Sequence, residues 1–290
     1  MTNHIPTRSS GTKPFRFVRD IFIVIRPLNA LITAISVWIG YFFGSGIYTG
    51  RLAVIACISA ACVCAAGNIF NDFFDVSVDR INKPERPYAA GNLRKSEMIL
   101  SGITLFLIGV ILSFFINRWA AGMVLLTIAG LMYYNVRAKR TVLIGNVIVS
   151  LLCACAFLYG GIAGGALKGA LVPAMFAAVY HFGRELLKDI EDREGDRLMH
   201  VITFPVKYGI KPALITATCT FGVLIVLTIM PFVFFEYSTL YFFIVLFGVD
   251  LLIIILLTRY WISQKFKHLQ QTTTLLKAGM FFGMLALILR

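Results

Sequence analysis

Nine of the chain's fourteen acidic residues fall into two short clusters, in a polypeptide that is otherwise strongly apolar. The first cluster holds Asp72, Asp75 and Asp79 beside Asn71; the second holds Glu185, Asp189, Glu191, Asp192, Glu194 and Asp196. Asn71, Asp75 and Asp79 recur every four residues, so on a helix they line one face. Glu185, Asp189, Asp192 and Asp196 follow spacings of four, three and four, with the same result. Hard oxygen ligands in such stripes suit Mg²⁺, which keeps several waters and is held through a few carboxylates plus phosphate oxygens of a ligand. The candidate metal set is Asn71, Asp72, Asp75, Asp79, Asp189, Asp192 and Asp196, with Asp72 one helical step off the stripe. Asp75, Asp79, Asp192 and Asp196 are the candidate catalytic groups. The plainer alternative is a pair of solvated helix ends neutralised by Arg80, Lys188, Arg193 and Arg197. Two such clusters at the same membrane face weigh against it.

A cationic set surrounds the acids. Arg80, Lys83 and Arg86 follow the first cluster, Lys188 stands inside the second, and Lys139 and Arg140 follow an apolar run. Arg26 lies in an Arg-Pro-Leu-Asn interruption of the first apolar run, where proline frees backbone groups. Arg26, Lys83, Arg86, Lys139, Arg140 and Lys188 are placed to clamp diphosphate oxygens and to stabilise charge on a leaving group. Asn71 and Asn146 complete the candidate substrate-binding set.

The elements that must position these residues are membrane helices. The chain has 290 residues, 59% of them hydrophobic and 14% charged, with a mean hydropathy of +0.83. A soluble domain of this size needs a more polar surface, so the fold class is an all-α polytopic membrane protein. Nine spans are expected, at about 20–44, 52–74, 98–116, 119–136, 142–164, 169–189, 213–234, 238–258 and 273–289, with the longest loops at about 76–97 and 190–212. With the N-terminus inside, 23 of the 27 Lys and Arg residues fall on the cytoplasmic side, as the positive-inside rule requires. Both acid clusters land on that side too. The expected protein is thus integral to the cell membrane and multi-pass, with its N-terminus and active site facing the cytoplasm. Residues 1–19, polar and basic, read as a cytoplasmic arm, and 20–290 as one intramembrane domain. The net charge of +13 follows from this orientation and is not a nucleic-acid signal. Six cysteines within apolar runs read as small buried apolar residues, and Gly160, Gly161, Gly164 and Gly165 as a helix-packing surface.

The sequence Asn71-Asp72-x-x-Asp75-x-x-x-Asp79, followed by Asn82-Lys83-Pro84-Glu85-Arg86-Pro87 and Gly91, resembles the first aspartate-rich motif of the UbiA superfamily of intramembrane prenyltransferases. Lys188-Asp189-Ile190-Glu191-Asp192-Arg193-Glu194-Gly195-Asp196 resembles the second. Arg26-Pro27, and Tyr134 through Lys139-Arg140 before Gly145-Asn146, are also similar to the family. The resemblance covers essentially the whole chain. It departs at Tyr88-Ala89-Ala90-Gly91, where many members carry proline in place of Ala89.

The resemblance implies a ring of about nine helices around a central cavity, with the aspartates at its cytoplasmic mouth. It implies Mg²⁺ held by Asn71, Asp75, Asp79, Asp192 and Asp196, an isoprenyl diphosphate donor, and an acceptor nucleophile that traps an allyl cation among apolar walls. The second motif, with Gly183-Arg184-Glu185 before it, is most similar to the branch that transfers geranylgeranyl to the hydroxyl of geranylgeranylglyceryl phosphate in ether-lipid synthesis. The alternative within the family is an aromatic acceptor, a quinone precursor or chlorophyllide. From another class, a secondary transporter would also carry intramembrane acids, but with internal repeats and midplane polar groups. Among single residues, Asp250 is expected to orient a substrate or to hold a structural hydrogen bond, and His181 to pack, with a role as a base the alternative.

Overall fold

The structure is a computed structural model and describes residues 13–290. It is helical throughout its ordered elements. The expected arm lies outside the described residues as far as Thr12, and the rest of it, from Lys13, already belongs to helix α1 (Lys13–Val24). Proline at position 27 disfavours helical backbone at the residue before it. The expected span 20–44 is accordingly two helices, α1 and α2 (Pro27–Ser45), with Arg26 between them at φ 52°. That left-handed conformation is uncommon for a non-glycine residue.

The remaining helices are α3 (Arg51–Phe74), α4 (Val76–Asn82), α5 (Lys95–Phe114), α6 (Arg118–Val136), α7 (Ile144–Ala163), α8 (Leu171–Leu198), α9 (Phe204–Tyr208), α10 (Ile210–Phe234), α11 (Thr239–Val245), α12 (Leu251–Ser263) and α13 (Phe266–Ile288). A π-helical turn, Leu246–Asp250, joins α11 to α12 into one long rod. Among the described residues, eight helices are long and apolar enough to cross a membrane, and the chain is an integral membrane protein. The ninth expected span is α8, whose C-terminal half carries the second acid cluster and so dilutes its hydropathy. It nonetheless packs inside the bundle, against α7, α10 and α13.

Two loops expected from the sequence hold more structure than hydropathy conveys. The first contains α4, and helical bonding runs almost unbroken from α3, since Asp79 N–H donates to the Asp75 carbonyl at 2.8 Å. The second begins only at Met199, because α8 continues nine residues past the expected end. The register of α2 on α7 is set by contact too close for side chains: a Cβ on Gly160 would lie 2.0 Å from the Val37 carbonyl oxygen, and one on Gly40 2.1 Å from that of Phe157. Such backbone approach is what small residues provide between membrane helices. The cysteines are free thiols, but they are less enclosed than expected: five are half-buried and Cys219 is exposed.

Candidate active site

The two acid clusters meet. A cavity of about 160 Å³ is lined by Asn71, Asp75 and Asp79 from α3 and α4, and by Glu185, Lys188, Asp189, Asp192 and Asp196 from α8. Arg26, Lys83, Arg86, Lys139, Arg140 and Asn146 line it as well. Every candidate site residue except Asp72 therefore borders one space. Six basic and six acidic side chains face it, and among the described residues no cysteine or histidine does.

Hydrogen bonds fix these side chains in place. Asn71 Nδ2 donates to Asp75 Oδ2 at 2.9 Å, and Lys139 is ion-paired with the same carboxylate. Arg86 Nη1 donates to Asp79 Oδ2 at 2.6 Å and to Asp72 Oδ1 at 3.2 Å. The Asp72 carboxylate also takes Arg26. This explains the exception. Asp72 is 3% exposed, points away from the cavity face of α3, and is occupied by two guanidinium groups, so it positions Arg26 and Arg86 and is not in the open donor set. On the other wall, Asn146 Nδ2 donates to Asp189 Oδ2 at 2.7 Å. Thr203, from the segment after α8, donates to Asp196 Oδ2 at 3.3 Å.

Two carboxylates at the mouth carry a charge their surroundings resist. Burial raises the Asp79 carboxyl above the usual range, and Arg86 only partly offsets it. Burial, with the neighbouring Asp192 charge, pushes Asp196 up to about 6. A cation between the two walls would relieve both.

Among the described residues no three Asp, Glu, His or Cys side chains converge closely enough to form a preformed metal cluster. The reason is visible in the ion pairs: Lys139 and Arg86 hold the first motif's carboxylates, and the second motif stands on the opposite wall. The donor chemistry still fits Mg²⁺. Oxygen donors from both walls face one cavity without sulfur or imidazole, the arrangement for an ion that completes its shell with water and ligand phosphate.

Beside this polar cavity lies an apolar one of about 90 Å³, walled by Phe157, Phe176, Leu224, Met280 and Leu287 among others, with Tyr180 and His181 from α8. His181 and Glu185, one helical turn apart, thus border the two cavities respectively. Asp250 is buried and accepts from the Thr228 hydroxyl at 3.2 Å, so its position is that of a hydrogen-bonded structural group. Sequence reading passed over Thr141, Thr203 and Val201 as cavity-lining residues. No spacing marks them, because they come from loops folded back over the mouth.

The model of the UbiA prenyltransferase family matches residues 32–285. The chain belongs to the UbiA prenyltransferase family. It is a prenyltransferase, and the transporter alternative lapses. Within the family it is similar to the digeranylgeranylglyceryl phosphate synthase of Sulfurisphaera tokodaii, 35% identical over 255 residues that cover 86% of this chain and 91% of the relative. A solved structure described as giving structural and mechanistic insights into the biosynthesis of digeranylgeranylglyceryl phosphate synthase in membranes is 30% identical, with a TM-score of 0.76 over 94% of this chain and 97% of that one. A UbiA homologue from Archaeoglobus fulgidus, solved bound to GPP and Mg²⁺, shares the fold at 18% identity and a TM-score of 0.64, covering 93% of this chain and 99% of that one.

Proposed function

We propose that this UbiA-family enzyme transfers a geranylgeranyl group from geranylgeranyl diphosphate to the free hydroxyl of geranylgeranylglyceryl phosphate, with Mg²⁺, at the cytoplasmic face of the membrane. The observation that carries the reading is the meeting of two carboxylate stripes and six cations around one cavity, beside an apolar chamber. The named relatives support the choice of acceptor, and the homologue that binds GPP and Mg²⁺ supports the donor class and the metal. The distribution of Lys and Arg supports the orientation.

In this reading Asn71, Asp75, Asp79, Asp192 and Asp196 hold the metal, with Asp189 positioned by Asn146. Bound there, Mg²⁺ would supply Lewis acidity toward the leaving diphosphate. Lys83, Arg86, Lys139 and Arg140 bind diphosphate oxygens and, with Arg26 and Lys188, stabilise the charge that builds as the allylic C–O bond breaks. The bond's electron pair leaves with the diphosphate. The acceptor oxygen then bonds to C1 of the prenyl chain, and its hydroxyl proton passes to the departing diphosphate. The apolar chamber takes the chain and keeps water from the allyl cation. Aromatic side chains on its walls, Phe157, Phe176, Tyr180 and Tyr241, give the prenyl chain an apolar surface to pack on.

The test is product analysis. Purified enzyme in lipid, given geranylgeranyl diphosphate and Mg²⁺ with competing glycerophosphate, quinone-precursor and chlorophyllide acceptors, is expected to yield digeranylgeranylglyceryl phosphate by mass spectrometry. A prenylated aromatic product in its place would move the enzyme to the other branch.

A further inference from the structure

The apolar chamber has a built floor. It runs from Tyr180 and His181, at the end nearer the aspartates, to Pro173, Tyr241 and Leu287. These three lie within three residues of an end of α8, α11 and α13 respectively, so helix termini remote from the polar mouth close the space. Tyr241 is the largest of them, 1% exposed, and it is held at three points. Its backbone N–H donates to the Ser238 hydroxyl at 3.1 Å, and its own hydroxyl donates to the Thr228 carbonyl at 2.8 Å. Its ring packs edge to face with Tyr237 at a centroid distance of 4.9 Å. A side chain pinned at backbone, ring and tip does not swing aside for a ligand.

The depth of this floor matches a particular chain. Along α13 the chamber spans about 12 Å from Gly279 to Leu287, and along α8 about 12 Å from His181 to Pro173. From Asp192 at the mouth, Pro173 lies about 28 Å along α8. An extended geranylgeranyl group has sixteen main-chain carbons, and bonds near 1.5 Å with angles near 111° make it about 19 Å long. That leaves about 9 Å at the mouth for metal and diphosphate. A fifth isoprene unit would need about 5 Å more and would run into the Tyr241 ring.

We infer, on the reading that the chamber takes the donor's prenyl chain, that Tyr241 is the stop that sets donor chain length and that Gly283 keeps the way to it open. Gly283 lines the chamber on α13, one turn before Leu287. A Cβ there would meet a Val249 methyl at 3.7 Å, an ordinary contact, whereas one on Gly279 would lie 2.8 Å from the Tyr180 hydroxyl. Gly283 is therefore a place where a side chain can enter the chamber without displacing its wall. Tyr241 and Gly283 thus offer changes of opposite sign, one deepening the chamber and one shortening it.

Equilibrium binding of thio-diphosphate donor analogues in nanodiscs with Mg²⁺ reads chain length without an acceptor. The native chain is expected to bind the geranylgeranyl analogue at least about 10-fold more tightly than the analogue one isoprene unit longer, the discrimination a closed apolar pocket achieves against added methylenes. Tyr241→Ala should bring that ratio to about one, and Tyr241→Phe, which keeps the ring, should restore it. Gly283→Leu should act in the opposite sense and favour the analogue one unit shorter than geranylgeranyl by about 10-fold. Equal native affinity for the two longer analogues overturns the inference. So does a native ratio in Tyr241→Ala, or equal weakening of all three analogues by Gly283→Leu. Should Tyr241→Ala fail to insert, the Gly283→Leu ratio decides alone. Donor ratios that stay native while acceptor affinity changes with acceptor chain length would give the chamber to the acceptor, and overturn the inference as well. If the donor ratios move as expected but no ether product forms from geranylgeranylglyceryl phosphate, the stop stands and the acceptor reading fails.

Discussion

Removing Arg86 tests how the buried aspartates are held. Its guanidinium lies 2.6 Å from Asp79 and 3.2 Å from Asp72, with both carboxylates almost fully enclosed. In Arg86→Met, Asp72 keeps Arg26, but Asp79 is left without a cation. A carboxylate stranded in this way escapes by taking up a proton, and the cost of that proton caps the damage. From the reference value of 3.8, protonation at pH 7 costs at most ~4 kcal/mol, at ~1.36 kcal/mol per pH unit. At pH 5 the ceiling falls to ~1.6 kcal/mol. The sign follows from the raised folded-state pKa: the native chain binds more protons than the unfolded one, so its stability falls as pH rises above 3.8. Reversible unfolding in mixed detergent micelles, native against variant, should show a loss that grows from pH 5 to pH 7 toward these ceilings. Adding Asp79→Asn to the variant should flatten that growth. A loss independent of pH, or one unchanged by Asp79→Asn, would refute the assignment of Arg86 as the counter-ion of Asp79.

Asp75→Ala and Asp192→Ala should each lower turnover at least about 100-fold while leaving the protein folded and inserted, read by size-exclusion and product formation; near-native turnover in either would remove it from the metal set. Turnover should vanish with chelator and return on adding Mg²⁺, and persistence in chelator would count against a metal-held diphosphate. Gly160→Leu should disrupt the bundle, since its Cβ meets the backbone of Val37 and Tyr41 and neither can move without parting α2 from α7; native yield and thermal stability in that variant would show the contact to be slack.

What could be read ahead of the structure was whatever repeats along a helix. The four-residue spacing in Asn71, Asp75 and Asp79 survives because helical bonding continues through Asp75. The charge asymmetry of the loops made both clusters neighbours before any contact was known. Hydropathy failed where polarity and helicity part company: α8 runs on to Leu198 through nine mostly charged residues, which a membrane scale reads as loop. It also could not see that Arg26 turns left-handed and splits the first span. Metal-ligand status for Asp72 was over-read, because proximity in sequence does not reveal that two arginines have already claimed the carboxylate.

The unbroken course of α8 has one more consequence. Tyr180 and His181 at the apolar chamber and Asp192 at the polar mouth are points on a single rod, about 18 Å apart along its axis. There is no hinge between them to absorb a mismatch. The helix therefore works as a ruler, on which the place of the hydrocarbon chain and the place of its reacting end are set by one register. Inserting a single residue after Leu187 would turn the aspartates by about 100° relative to the chamber wall. Both halves of the site would remain in composition, but they would no longer address the same molecule.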